Sequence, residues 1–348
     1  MTKTTTAGII ATYNQRQYVV EAVRGLVDQV DELIVIDDAS SDDTTDVLST
    51  LEHHANLRVI RNEKQLGVSR SYNRAVEAAS ADVILIQGGD DRSLPERAAR
   101  SVAALADPAV SLAYSVPAVI DADGTTLPES LASEFLAGQA DIDPLIVLFF
   151  QGNFVCAPAA AMRRTDYMKR GGFRSGLDLL QDYDLWLTLA ADGRFAVLDE
   201  PVVEYRKHGT NLSREYVGID SPKQRRFAAE QESIRNGFLS RSSPETLERI
   251  AGHIALDLAR FRQLSVQERI VQIQLSHHDK LVLRRGVNYL YDTAREADGE
   301  ERLARLGLGL ADLTRFAVLA DHDNLEGVTQ ALGSAEALKR RADFNTKD

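Results

Sequence analysis

Ile34-Val35-Ile36-Asp37-Asp38-Ala39-Ser40-Ser41-Asp42-Asp43-Thr44 is the stretch on which the fold turns. An apolar run from Glu32 to Ile36 reads as a buried strand and ends directly in two carboxylates. The serines and aspartates that follow supply N-cap side chains for a helix over Thr44–His53. Working outward, Gly8–Thr12 reads as an earlier strand followed by a helical pattern over 16–29. Downstream come a strand at Leu57–Ile60, a helix at Val68–Ala79, a strand at Asp82–Ile86, a helix opened by Pro95, and a strand at Val110–Tyr114. Repeated strand–helix–strand units predict an α/β fold, a mostly parallel sheet with helices on both faces.

In such sheets ligands bind beyond the carboxyl ends of the strands. Three polar segments follow apolar runs directly: Thr12-Tyr13-Asn14, Asp37-Asp38 and Gly88-Gly89-Asp90-Asp91. The acids of the third segment, with glycines that allow close backbone approach, suit a hard cation such as Mg2+ or Mn2+. Those of the second can accept hydrogen bonds from a base N–H or ribose hydroxyls. Taken singly, each pair also reads as a turn that caps the next helix. Together they place two acidic strand ends on the same sheet edge.

Composition narrows the alternatives. The chain has 348 residues, 44% hydrophobic and 26% charged, enough to bury a sizeable core in about two domains. Forty Lys and Arg against 52 Asp and Glu give a net charge of −12, which argues against a nucleic-acid partner. Cys156 is the single cysteine, which excludes an intrachain disulfide and a cysteine-based zinc site. No run approaches the roughly 20 apolar residues of a bilayer span, and the N-terminus lacks the apolar core of a signal peptide. A cytoplasmic protein is expected, with peripheral contact at the inner face of the cytoplasmic membrane left open. After about Ser221 the texture becomes helical and charged, with helix-type spacing over Glu230–Leu239, Glu245–Phe261, Asp279–Ala294 and Glu301–Leu319. Domains are therefore expected at 1–213 and 214–348, the second all-helical. Arg284-Arg285 and Lys339-Arg340-Arg341 read first as solvated helix faces.

Residues 7–213 resemble glycosyltransferase family 2, inverting sugar transferases with the A-type nucleotide-sugar-binding fold. The resemblance runs through Ile9–Asn14 and then Ile34–Thr44, which is close to that family's Asp-Asp-Gly-Ser-Xaa-Asp-Xaa-Thr signature. It continues through Asn62, Gly67 and Asn73, through Gly88-Gly89-Asp90-Asp91 with Pro95, and through Gly171-Gly172-Phe173. It ends with Gln181–Trp186 and the Tyr205–Ser213 segment, which carries an Arg-Xaa-His.

The resemblance implies roles residue by residue. Thr12, Tyr13, Asn14, Asp37, Asp38, Asn73, Gly89 and Asp90 would form the nucleotide site, with Asp38 on the base. Asp90 and His208 would hold Mn2+ or Mg2+, and Asp91 is an alternative ligand. Asp182 would be the general base that deprotonates the acceptor hydroxyl, a role suited to a carboxylate whose pKa is raised by desolvation. The chain departs from the pattern at Gly88, where the first acid of an Asp-Xaa-Asp motif is expected, and at Gln181, where Glu is usual. The implied partners are a UDP- or dTDP-sugar donor and a saccharide or lipid-linked saccharide acceptor, in bacterial surface polysaccharide or glycan assembly. A homodimer is left open, and the helical region would serve acceptor binding, oligomerisation or membrane docking.

Other classes fit less well. A nicotinamide dehydrogenase needs Gly-Xaa-Gly-Xaa-Xaa-Gly after the first strand, where this chain has Ala-Thr-Tyr-Asn. A sugar-phosphate nucleotidyltransferase needs a Gly-rich basic loop there, which is missing. The serious rival is a non-catalytic binding or scaffold protein on a degenerate transferase fold, supported by Gly88 and Gln181.

Overall fold

Alternating apolar runs and amphipathic stretches build the first half of the chain, whose computed structural model describes residues 3–135, 143–211 and 221–321. The order is β1 (Thr6–Thr12), α1 (Val19–Val27), β2 (Glu32–Asp37), α2 (Thr44–Ser49), β3 (Leu57–Arg61), α3 (Val68–Ala78), β4 (Val83–Gly88) and β5 (Arg92–Ser93). There follow α4 (Arg97–Leu105), β6 (Val110–Tyr114), β7 (Ala118–Ile120), α5 (Pro144–Gln151), β8 (Ala161–Arg163), α6 (Arg164–Lys169), α7 (Gln181–Asp192), β9 (Arg194–Val197) and β10 (Val203–Arg206). Among the described residues, seven strands form one sheet in the order β3-β2-β1-β4-β8-β6-β9, and only β8 runs antiparallel to its neighbours. A smaller sheet pairs β5, β10 and β7. The expected α/β class with a mostly parallel sheet is the observed one.

Strands buried on both faces read as continuous apolar runs, and β2 and β4 do so. Ile10, Leu33, Val35, Val83 and Leu85 pack with Val19, Ala22, Val23 and Leu26 of α1 in one fully buried cluster. Gly8 makes that approach possible: a Cβ there would lie 2.6 Å from both Leu26 Cδ2 and Leu33 Cδ1. Burying a side chain such as Leu26 contributes about 1.5–3 kcal/mol, so the close fit of α1 on β1 is a substantial part of this layer.

The apolar run Leu145–Phe150 is helical. Asp143 caps α5 by accepting from Leu145 N, and Pro144 sits in the first turn, where its missing N–H costs nothing. Residues 145–149 are all buried, so the run has no polar face to reveal its period.

The described residues form two compact units, 3–135, 143–148, 152–211 and 221–230 in the first, and 149–151 with 231–321 in the second. The sequence-based boundary at 213 lies outside the described residues, as do Lys339–Arg341. The helix α8 (Pro222–Arg241) begins in the first unit and continues into the second. The second unit continues with α9 (Pro244–His253), α10 (Leu258–Phe261), α11 (Val266–Leu275), α12 (Lys280–Ala294), α13 (Gly299–Leu306) and α14 (Leu310–Asp321). Val271, Leu275, Leu283, Val287, Leu290, Leu303 and Phe316 form its core. The long pattern over 245–261 breaks near Ala255, whose φ is +55°, and Asp257 caps the next turn. The pattern over 301–319 breaks at Gly307, left-handed at φ +78°. A capping box at Ser265 and Glu268 opens α11, a helix the sequence pattern did not single out. No helix among the described residues is long and apolar enough to cross a membrane.

Candidate active site

The parallel register sets the site. Thr12 is opposite Asp37, and Ala11 is opposite Gly88, so the carboxyl ends of β1, β2 and β4 lie side by side. Neighbouring strands are about 4.8 Å apart, which puts all three polar segments at one edge of the sheet. Asn14 Oδ1 accepts from Ser41 N at 2.8 Å, and Ser40 Oγ accepts from Asn14 N at 3.0 Å, knitting the β1 and β2 loops together. The loop geometry holds Asn14 in the left-handed region, at φ +53°. Tyr13 beside it is 40% exposed, an aromatic face open at the strand ends. Gly89 packs so tightly on β1 that a Cβ would lie 2.6 Å from Thr12 Cβ. Thr12 itself is buried, with its hydroxyl on Gln15 Oε1 at 2.9 Å.

Three of the expected nucleotide residues spend their side chains on the protein. Asp37 accepts from Ser40 N at 2.9 Å and from the Thr45 hydroxyl. Asp38 accepts from Asn62 Nδ2 at 2.6 Å, Leu66 N at 2.8 Å and Gly67 N at 2.9 Å, which folds the 62–67 loop back over the end of β2. Asn73 donates to Phe173 O at 2.8 Å and accepts from Phe173 N at 2.9 Å, clamping the Gly171-Gly172-Phe173 turn. Gly172 is left-handed at φ +67° and sits where a Cβ would lie 2.5 Å from Asn73 Oδ1.

The Gly88–Asp91 loop separates its two acids. Asp90 Oδ2 faces His208 Nε2 at 2.9 Å, with Asn211 Nδ2 at 3.5 Å. Asp91 turns inward, is 1% exposed and accepts from Arg206 N at 2.9 Å. Burial, then the neighbouring Asp90 charge, push its carboxyl well above the usual carboxylate range. Beneath the loop, fully buried Arg97 donates to Gln87 Oε1 at 2.9 Å, to Ser93 Oγ at 2.8 Å and to Ile86 O at 2.6 Å. Burial lowers its pKa to about 10, and the Asp91 charge opposes that loss. At Gly88 a Cβ would lie 2.6 Å from Asp90 Oδ1 and 2.7 Å from Asp91 Oδ2, so Asp90 and Asp91 crowd the position of the absent acid.

Arg206, which sequence reasoning did not place in the site, ties this corner together. Its guanidinium lies 4.7 Å over the Tyr18 ring and pairs with Glu21 at 2.7 Å. Its Nε donates to Asp90 O at 2.8 Å, and Nη1 reaches Asp121 O and Ala122 O. Tyr18 in turn packs on His208, ring centres 4.9 Å apart. The signal was its place in the Arg-Xaa-His segment, which marks out the arginine as well as the histidine.

Asp182 opens α7, half-buried, and accepts from Tyr183 N at 2.7 Å and Asn153 Nδ2 at 2.9 Å. Burial pushes its carboxyl up to about 6, against the pull of those two hydrogen bonds. A carboxyl poised near 6 is largely ionised at neutral pH yet can still take a proton, as general-base work requires. Cation binding has a fitting donor set in Asp90 and His208, an oxygen and an imidazole nitrogen already face to face. No group of three His, Cys, Asp or Glu gathers among the described residues, so further ligands would come from the bound molecule and water.

Comparison with known proteins places this architecture. Residues 9–171 match the family model described as glycosyl transferase family 2. TuaG of Bacillus subtilis strain 168, a glycosyltransferase named provisionally for teichuronic acid biosynthesis, is 24% identical over 216 residues, covering 59% of this chain and 80% of that one. Among solved structures, S. aureus TarS 1–349 in complex with UDP superposes with a TM-score of 0.56 at 16% identity, over 91% of this chain and 90% of that one. The mannosyltransferase PcManGT from Pyrobaculum calidifontis, in complex with GDP-Man and Mn2+, gives 0.52 at 16% identity, over 100% of this chain and 88% of that one. The chain spans 60 to 80% of the length of the first curated relatives it matches. The class defined by fold and family match is that of the glycosyltransferases. Within it, the match to glycosyl transferase family 2 lies in residues 9–171.

Proposed function

We propose that the chain transfers a sugar, with inversion, from a UDP- or dTDP-sugar to a hydroxyl of a saccharide or lipid-linked saccharide acceptor. The observation that carries this reading is Asp182, a half-buried carboxyl raised to about 6 and oriented by Asn153. Asp182 takes the proton of the acceptor hydroxyl as its oxygen bonds to the anomeric carbon. The bond from that carbon to the diphosphate oxygen breaks, and the nucleoside diphosphate leaves with the electron pair. The donor would sit on Thr12, Tyr13, Asn14, Gly89 and Asp90, while Asp37, Asp38 and Asn73 serve it through the loops they hold.

A divalent cation, Mn2+ or Mg2+, would be held by Asp90 and His208 and would neutralise charge on the departing diphosphate. Asp91 is committed to Arg206 N, which leaves Asp90 as the better ligand. The UDP bound to TarS and the GDP-Man and Mn2+ bound to PcManGT support a nucleotide-sugar donor and a metal, but not one particular base. The name of TuaG, given for teichuronic acid biosynthesis, supports a place in polysaccharide synthesis. Gly88 is the feature that favours the rival reading, a binding protein on a transferase fold. Incubation with Mn2+ and a panel of UDP-, dTDP- and GDP-sugars separates the two. The transferase reading predicts nucleoside diphosphate release with at least one donor, and binding without any release would support the rival.

A further inference from the structure

The turn that carries Asp182 has no cap of its own, because Leu180 at the N-cap of α7 offers no side-chain acceptor. The backbone N–H groups just before the helix converge instead on Glu230 of α8. Asp178 N donates to its Oε1 at 3.1 Å, and Leu179 N and Leu180 N both donate to its Oε2 at 3.0 Å. Glu230 is 6% exposed, and Arg226, one turn earlier, donates Nε to the same carboxylate at 3.1 Å while pairing with Asp178. Hydrogen bonds to an ionised acceptor are roughly twice as strong as neutral ones, so three on one carboxylate fix this turn firmly. Its negative charge also favours the N-terminal end of α7. Asp182 follows two residues after the last of these amides.

We propose that Glu230 is a positioning residue for Asp182: by gathering the 178–180 amides it sets where the first turn of α7 delivers the carboxylate that faces the acceptor. The inference rests on the transferase reading, in which Asp182 is the base. The hydrogen bonds of Glu230 go to the 178–180 amides and Arg226, none of them assigned to the donor or the metal, so its loss acts on the proton-transfer geometry and leaves donor binding alone. A misplacement of about 1 Å at a reacting group costs on the order of 100-fold in rate.

The test compares wild type, Glu230→Ala and Glu230→Gln, using the donor that the wild type turns over fastest in the nucleotide-sugar panel. Glu230→Ala is expected to lower kcat about 100-fold with donor KM within about twofold. Glu230→Gln retains one carbonyl acceptor and is expected to lose about tenfold, a graded response that also serves if the alanine variant does not fold. Hydrogen exchange should rise at residues 178–183 and nowhere else. An unchanged kcat in a folded variant, a matching loss of donor affinity, or exchange rising throughout the chain would overturn the proposal. If the wild type binds UDP but releases nucleoside diphosphate from no donor, the transferase reading fails. The exchange comparison then decides the Glu230 latch by itself, and identical exchange at 178–183 in wild type and variant would reject it.

Discussion

Asn153 holds Asp182: its Nδ2 donates to Asp182 Oδ2 at 2.9 Å, joining the loop after α5 to the first turn of α7. The bond favours the ionised carboxylate and opposes the burial that raises its pKa to about 6. Asn153→Ala removes that help, so the folded-state pKa rises further. The base works when ionised, so activity should climb with pH through about 6 in the wild type and about one unit higher in the variant. A pH profile of kcat checks this, with the variant recovering most of its rate at high pH. A limb that does not move would separate Asn153 from the base.

Asp90 and His208 face one another across 2.9 Å at the end of β4. Asp90→Ala should weaken UDP affinity in Mn2+ by about tenfold or more, a change of about 1.4 kcal/mol, since the cation that neutralises the diphosphate loses a carboxylate ligand. In chelator the variant and the wild type should bind alike. Calorimetry with and without Mn2+ reads both, and a variant whose affinity still rises normally with Mn2+ would remove Asp90 from the metal site.

Gly89 leaves no room for a side chain against Thr12. Gly89→Ala forces the β1 or β4 loop to shift and should cost about 1–3 kcal/mol of stability, with a parallel loss of UDP binding. Urea unfolding and nucleotide titration measure the two effects, and a variant that keeps both would show that the loops are loosely packed.

Arg97 is the buried cation beneath Asp91. Arg97→Met strands that acid in the core and should destabilise the protein by about 3–5 kcal/mol. Adding Asp91→Asn should return part of the loss, because the uncompensated charge is gone. Urea midpoints of the three variants test the coupling, and strictly additive losses would argue that the two groups do not interact.

The sheet was legible because β1, β2 and β4 are buried on both faces and end abruptly in polar residues, a one-dimensional pattern. Residues 145–150 carry no helical period in the sequence, because the buried face of this short helix takes up nearly all of it, although Asp143-Pro144 marks its start. The break near Ala255 was invisible, since the left-handed residue is not a glycine. Within the site, Asp38 was found by position, but its partners Asn62, Leu66 and Gly67 lie 24 to 29 residues away in sequence and assemble only when the 62–67 loop folds back. Asn153 acts through a tertiary contact that no spacing rule encodes, whereas Arg206 carried a signal in the Arg-Xaa-His segment but not its partners Tyr18 and Glu21.

The most direct measurement is the kinetics of Asp182→Asn beside its UDP affinity in Mn2+. The account predicts a fall in kcat of about 10²- to 10⁴-fold with UDP affinity unchanged, because the substitution removes the base and leaves the nucleotide edge of the sheet intact. A variant that turns over donor at the wild-type rate, or that loses UDP binding in step with activity, would contradict it.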